Sequence, residues 1–208
     1  YEVVNADMTE AYPLLNLENP YQDANHLQPN LNSAVQNLYN QAKPYENRDP
    51  RLKASIYYDG SKLNLETGTL VSTKTGGNCA LDPSNARYTC TGYYTRKFSH
   101  YKSGRSGNLD GYFKEFRLAE LYLNYAEAAN EASTTGTVPN DAVDAVNTVR
   151  SRVGMPGIPY GLSCDQFRLR VRNERRVELA FEEHRFFDVR RWKILDQTDK
   201  VVTGMKAN

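Results

Sequence analysis

Excess charge of either sign is missing from this sequence. Lys plus Arg total 26 against 25 for Asp plus Glu, so no field draws in a nucleic acid backbone. Long apolar runs are missing too: hydrophobic residues make up 39% of the chain but are nowhere continuous enough for a transmembrane helix. The histidines, His26, His100 and His184, are scattered, and no Cys-x-x-Cys or His-x-x-x-Cys grouping marks a zinc site. A Gly-x-Ser-x-Gly elbow, a phosphate loop and a dinucleotide glycine pattern are all absent, which removes the commonest signatures of hydrolases and nucleotide enzymes. Metal and cofactor are therefore expected to be none. Tyr1 to Val4 carries no basic region followed by an apolar core, so it is not read as a signal peptide. It reads as interior sequence, and a fragment of a longer chain is the expectation.

What is present is tyrosine. Fifteen tyrosines stand beside seven phenylalanines and one tryptophan. Such a surplus suits a surface that is both apolar and hydrogen-bonding, though tyrosines also fill cores. At 208 residues the chain has room for one domain or two small ones with a real core. Cys79 and Cys90 bracket a loop rich in Asp, Pro, Ser and Asn, where little else is available to hold a shape. A Cys79–Cys90 disulfide is the preferred reading over two free thiols, and it implies an oxidising compartment. Cys164 is expected to stay free.

Organisation centres on Phe113 to Ala132, a long helix whose Phe116, Ala119, Leu123 and Ala126 keep the rhythm of one face. Leu118, Leu121, Tyr122, Tyr125 and Ala129 fill much of the remainder, so cover on more than one side is expected. Residues 1–32 read as loop, and Ser33 to Ala42 as a helix capped by Ser33. Lys43 to Leu52 is a turn with two prolines, in which flanking arginines grip Asp49. Ser55 to Tyr58, Thr67 to Thr75 and Gly92 to Phe98 read as short strands, and Lys102 to Gly111 as a flexible loop. The second half is helical. Asn140 caps a helix with the stripe Ala142, Val146, Val149 and Val153, ending at Gly154 and Pro156, which makes a hairpin with the central helix. Ser163 and Gln166 form a capping box for the next helix, and a kink or turn precedes His184 to Leu195.

The densest charge lies between Arg168 and Lys193. Glu174 and Glu178, one turn apart, share a side with Phe167, Val171 and Phe181, where carboxylates need partners. Arg170, Arg175, Arg176, Arg185, Arg190 and Arg191 are available. As a catalytic pair the two glutamates would serve as acid and base. The bland reading, a network locking the last helices to the central one, is preferred because neither a nucleophile nor a metal-ligand spacing accompanies them.

Residues Arg172 to Trp192 resemble the closing signature of the SusD/RagB family, surface lipoproteins of Bacteroidetes that capture glycans. Asp49-Pro50-Arg51-Leu52, Gly92 to Phe98, Leu118 to Ala128 and Val146 to Pro156 resemble further family segments in the same order. The resemblance implies a mainly α fold: the C-terminal region of a SusD-like domain, with helix hairpins, long loops and a few short strands. Residues 1–111 would be loop-rich and 112–195 a helical scaffold, with the N-terminal tetratricopeptide-like part and its lipid-bearing cysteine absent. It further implies a non-enzymatic protein at the outer membrane. Such a protein binds an oligosaccharide or polysaccharide, or in some branches a peptide, and passes it to a SusC-type TonB-dependent transporter. Family glycan contacts come from variable loops, where aromatic rings stack on sugar faces. The candidate ligand residues are Tyr12, Tyr21, Tyr45, Asn47, Tyr57 and Tyr58, while Trp192 is expected in the core. A glycoside hydrolase or a protein–protein scaffold are the readings from other classes.

Overall fold

The computed structural model describes residues 1–64, 66–82, 84–85, 87–99, 114–198, 202 and 204–206. In chain order the elements are β1 (Glu2–Val4), β2 (Ala11–Pro13), a 3-10 turn (Ser33–Val35), α1 (Pro50–Ser55), β3 (Ile56–Tyr57) and β4 (Tyr94–Thr95). There follow α2 (Leu118–Ala132), α3 (Asn140–Ser151), α4 (Cys164–Glu178), α5 (His184–Arg191) and α6 (Leu195–Thr198). The fold is mainly helical, with two short antiparallel pairs, β1–β2 and β3–β4. The chain gathers into two compact units. One comprises Tyr1–Arg51 and Glu115–Asp199, the other Leu52–Lys114 and Lys200–Asn208. Among the described residues no helix is long and apolar enough to cross a membrane.

In the first unit α2 buries Leu123, Ala126, Glu127 and Asn130, one face of the helix, against α3 and α4. Val143, Val146, Phe167 and Val171 complete this core and are withdrawn from water. Burying a side chain of that size contributes roughly 1.5–3 kcal/mol. The expectation that α2 is covered on more than one side is corrected, because Phe116, Leu118, Leu121 and Tyr125 are exposed. The helix also begins at Leu118, and Phe113 and the loop Lys102 to Gly111 lie outside the described residues.

Local signals set the second half of this unit. Ser163 accepts the Gln166 N–H while the Gln166 side chain accepts the Ser163 N–H, so the capping box opens α4 as the sequence implies. Gly154 takes a φ of +72° after α3, a conformation only glycine adopts freely. Pro139, and not Asn140, occupies the cap position of α3. Phe181 and Glu183, with φ of +64° and +66°, make the turn between α4 and α5.

The first fifty residues hold more order than a loop. Val3 pairs with Tyr12 in the β1–β2 hairpin, and Val4 N–H reaches the Asn47 carbonyl at 2.9 Å. The helix expected from Ser33 to Ala42 shrinks to the turn Ser33–Val35, capped by Asn32. The Asn40 side chain takes the Ala42 N–H at 2.9 Å, a local bond that competes with helix continuation. The Asp49 side chain accepts the Arg51 N–H at 2.9 Å, and Pro50 stands at the first helical position, so α1 starts inside the expected turn.

In the second unit Ile56 and Tyr57 pair with Thr95 and Tyr94, so the strands expected at Ser55 to Tyr58 and Gly92 to Phe98 survive as two residues each. Thr67 to Thr75 forms no strand; it is tied to the turn after Tyr57 through Val71 N–H to Ser61 O at 2.8 Å. Cys79 is half-buried and Cys90 exposed, and the structure does not join them. The loop has other ties: Cys79 N–H to Ser72 O and Leu81 N–H to Thr73 O, both at 3.0 Å, and Thr89 N–H to the Tyr94 hydroxyl at 3.1 Å.

Candidate functional site

The two glutamates singled out for acid–base chemistry are saturated. Glu174 accepts from Arg51 at one oxygen and from Arg150 at the other, the latter at 2.8 Å. Glu178 accepts from Arg117 at 2.5 Å and Arg152 at 2.8 Å on Oε1, and from Arg51 at 2.9 Å on Oε2. Arg51 also holds Asp49 at 2.7 Å, and Arg150 holds Glu2 at 2.8 Å. Burial alone would raise the Glu178 carboxyl, but the Arg117 and Arg51 guanidiniums hold it below the ordinary glutamate range. Both carboxylates are also buried, so with a guanidinium on every oxygen neither is presented to solvent as an acid or a base. Their partners come from remote elements, and the nearby Arg170, Arg176, Arg185 and Arg190 take no part in binding them.

Arg175 pairs with Asp188 at 2.9 Å, and Arg191 bridges Asp188 and Glu127. Trp192 is buried, as expected, and its indole N–H donates to Glu127 at 2.6 Å. These contacts brace α5 against α2 and α4.

The loop 14–32 offers a different chemistry. Leu15 pairs with Leu31 and Tyr21 with Pro29, so the segment is an irregular hairpin. Its tip is organised by Asp23, whose carboxylate accepts the N–H groups of Gln28, Leu27 and Asn25 at 2.6, 3.2 and 2.9 Å. These bonds, that from Gln28 first, hold Asp23 below the usual aspartate range. The tip brings His26 onto Tyr21, with ring centroids 4.1 Å apart and planes at 7°. Gln22, Asn25 and Gln28 are exposed around this stack. The sequence treats His26 as isolated; the signal for its placement is Asp23, a turn-former that stands between Tyr21 and His26 in the sequence.

The other tyrosine candidates fall in several places. Tyr12 lies half-buried on β2. Tyr45 is half-buried in the turn after Pro44, and exposed Asn47 adopts a φ of +54° there and donates to the Leu38 carbonyl at 3.4 Å. In the second unit Tyr57 is buried beneath the Arg96 guanidinium, 5.4 Å from the ring centroid, while Tyr58 is half-buried. Burial raises the Tyr58 hydroxyl, with Arg96 opposing. Among the described residues Tyr57 lines an open cavity of about 230 Å³ with Ala54, Leu63, Arg96, Phe98 and Ser99.

The sequence model of the SusD family matches residues 3–206. The chain belongs to the SusD family. A SusD-like protein from Bacteroides fragilis superposes with a TM-score of 0.64 at 32% identity, over 89% of this chain and 36% of that one. A second protein of the same species, described as a SusD-like carbohydrate-binding protein, superposes with a TM-score of 0.63 at 27% identity, over 88% of this chain and 36% of that one. Two SusD-like proteins of Formosa agariphila are 40% identical over 83 residues and 38% identical over 85 residues. Each match takes in 38% of this chain, and 15% and 16% of theirs. This SusD-family chain therefore spans about a third of the length of its solved relatives. Arg51, Arg150, Arg152, Glu174 and Glu178 of its Arg–Glu network lie in segments through which the sequence resembles the family, whereas Glu2 and Arg117 do not.

Proposed function

We propose that this chain contributes to the capture of glycans at the cell surface, without chemical turnover, for delivery to a SusC-type TonB-dependent transporter of the outer membrane. The observation that carries this reading is its similarity, over 88% of its residues, to a solved SusD-like carbohydrate-binding protein. The Tyr21–His26 stack supports it. Ring faces suit the apolar C–H face of a pyranose, and the amides of Gln22, Asn25 and Gln28 suit its hydroxyls. Tyr12, Tyr45, Asn47 and Tyr58 are the further proposed contacts; Tyr57, buried in the second unit, is left to packing. Saturation of Glu174 and Glu178 by guanidiniums favours binding over hydrolysis, which requires two carboxylates facing a cleft.

Incubation with a panel of soluble polysaccharides tests the proposal. Retarded migration of the protein in polysaccharide-containing native gels, with no reducing ends released, is the expected result. Release of reducing ends would replace it with a hydrolase, and unaltered migration on every polysaccharide would reject glycan capture.

A further inference from the structure

Arg51, Arg117, Arg150, Arg175 and Arg191 all end on carboxylates. Arg172 and Arg176 on α4 and Arg185 on α5 do not: among the described residues their guanidiniums make no hydrogen bond or ion pair. Arg172 and Arg185 crowd one ring, lying 4.9 and 5.8 Å from the Trp192 ring centroid, with Arg191 at 5.4 Å. Arg172 Nε is buried without a partner, an uncompensated donor on a charged group. The carboxylates around the cluster are already engaged. Glu127 accepts from Arg191 and the Trp192 indole, Asp188 from Arg175 and Arg191, and Glu131 from Arg168. Burial first, and the charge of Arg176 second, push the Arg185 guanidinium down to about 10, against a smaller opposing effect of Asp188.

We propose that this α4–α5 face is an interaction surface for a carboxylate-bearing polypeptide. Charge complementarity selects the carboxylate, because a planar guanidinium fork matches it with paired hydrogen bonds. The surroundings select polypeptide over sugar. Trp192 is only 9% exposed and has guanidiniums packed against its ring, so no ring face is open to stack on a pyranose. α5 also exposes Phe186 and Phe187, and Arg190 lies 3.5 Å over the Phe186 ring. Arginine with exposed aromatic side chains is the composition of protein–protein contact centres. None of these residues is among the proposed glycan contacts, and the test does not depend on those contacts.

Trp192 is the sole tryptophan, so intrinsic fluorescence reads the cluster directly. The full chain is titrated at constant ionic strength with oligoglutamate, and in parallel with oligolysine, sodium sulfate and glucuronate. A saturable change in tryptophan emission is expected with oligoglutamate alone. Arg172→Gln and Arg185→Gln should each weaken it by about tenfold. Arg176→Gln, at an exposed position, should weaken it while leaving the emission and melting of the free protein unchanged, which separates lost binding from lost folding. Flat emission with oligoglutamate overturns the proposal, as does unaltered affinity in Arg176→Gln and Arg185→Gln. An equal saturable response to sulfate or glucuronate also overturns it, in favour of a small-oxyanion site.

Discussion

Arg51 donates to Glu178 Oε2 at 2.9 Å, across 127 positions of sequence, and so ties the first turn of α1 to the last turn of α4. The same guanidinium reaches Glu174 and Asp49, and all four side chains are buried. One guanidinium thus binds three carboxylates, and Arg117, Arg150 and Arg152 supply the further positive charge they need.

Removing one member of such a network strands the others without compensation. Glu178→Ala is expected to destabilise the protein by about 3–5 kcal/mol. That corresponds to a melting temperature lower by roughly 6–20 °C for a chain of this size. Glycan affinity of the folded fraction should be unchanged. Normal melting combined with lost binding would identify the cluster as a ligand site.

The same carboxylate sets a pH dependence. The Glu178 pKa in the folded protein lies below the ordinary value of 4.5, so the unfolded chain binds its proton first as pH falls. Its stabilisation is complete above the ordinary value and is lost as pH drops through the folded one. Urea midpoints should therefore hold between neutrality and mildly acidic pH and then fall steeply in acid. Glu178→Gln should flatten that acid limb, and an unchanged slope in the variant would assign the limb to other groups.

Tyr21 and Tyr57 should respond in opposite ways. Tyr21 is half-buried on a polar hairpin, so Tyr21→Ala is expected to lower affinity for a bound polysaccharide by about tenfold, the loss of one stacking face. Its melting should barely move. Tyr57 is buried, and Tyr57→Ala should cost about 3–5 kcal/mol as a cavity-forming change. Equal affinity in Tyr21→Ala and wild type would move the glycan site away from this loop.

The Cys79–Cys90 bridge remains a proposal resting on the spacing of the two residues around a loop with few apolar side chains. Closing a loop of this length stabilises by roughly 3 kcal/mol in the chain-entropy picture. The ties from Ser72, Thr73 and Tyr94 restrain the native loop already. Mass spectrometry of a non-reduced digest should show Cys79 and Cys90 peptides joined and Cys164 alkylated. Alkylation of all three thiols without reduction would reject the bridge.

What the sequence determined by itself is whatever rests on a few consecutive residues. The Ser163–Gln166 box, the end of α3 at Gly154 and the stripe of Val146 and Val149 follow from side chains and backbone groups within one or two turns. Asp49 gripped by Arg51 is local as well, two positions apart. Where Asn40 and Asn32 compete for backbone groups, local chemistry is equally decisive: the apolar spacing of Ser33 to Ala42 reads as a helix, and these side chains set a turn in its place. The tertiary structure alone decided which charges meet. Glu174 and Glu178 have eight arginines close in sequence, from Arg168 to Arg191, yet they bind Arg51, Arg117, Arg150 and Arg152. Partner choice between guanidiniums of equal charge depends on which elements pack together, and that is set by the apolar faces of α2, α3 and α4. The exposure of Leu118 and Leu121 and the stacking of His26 on Tyr21 follow from the same rule. An isolated helix or loop carries no record of which of its sides another element will cover.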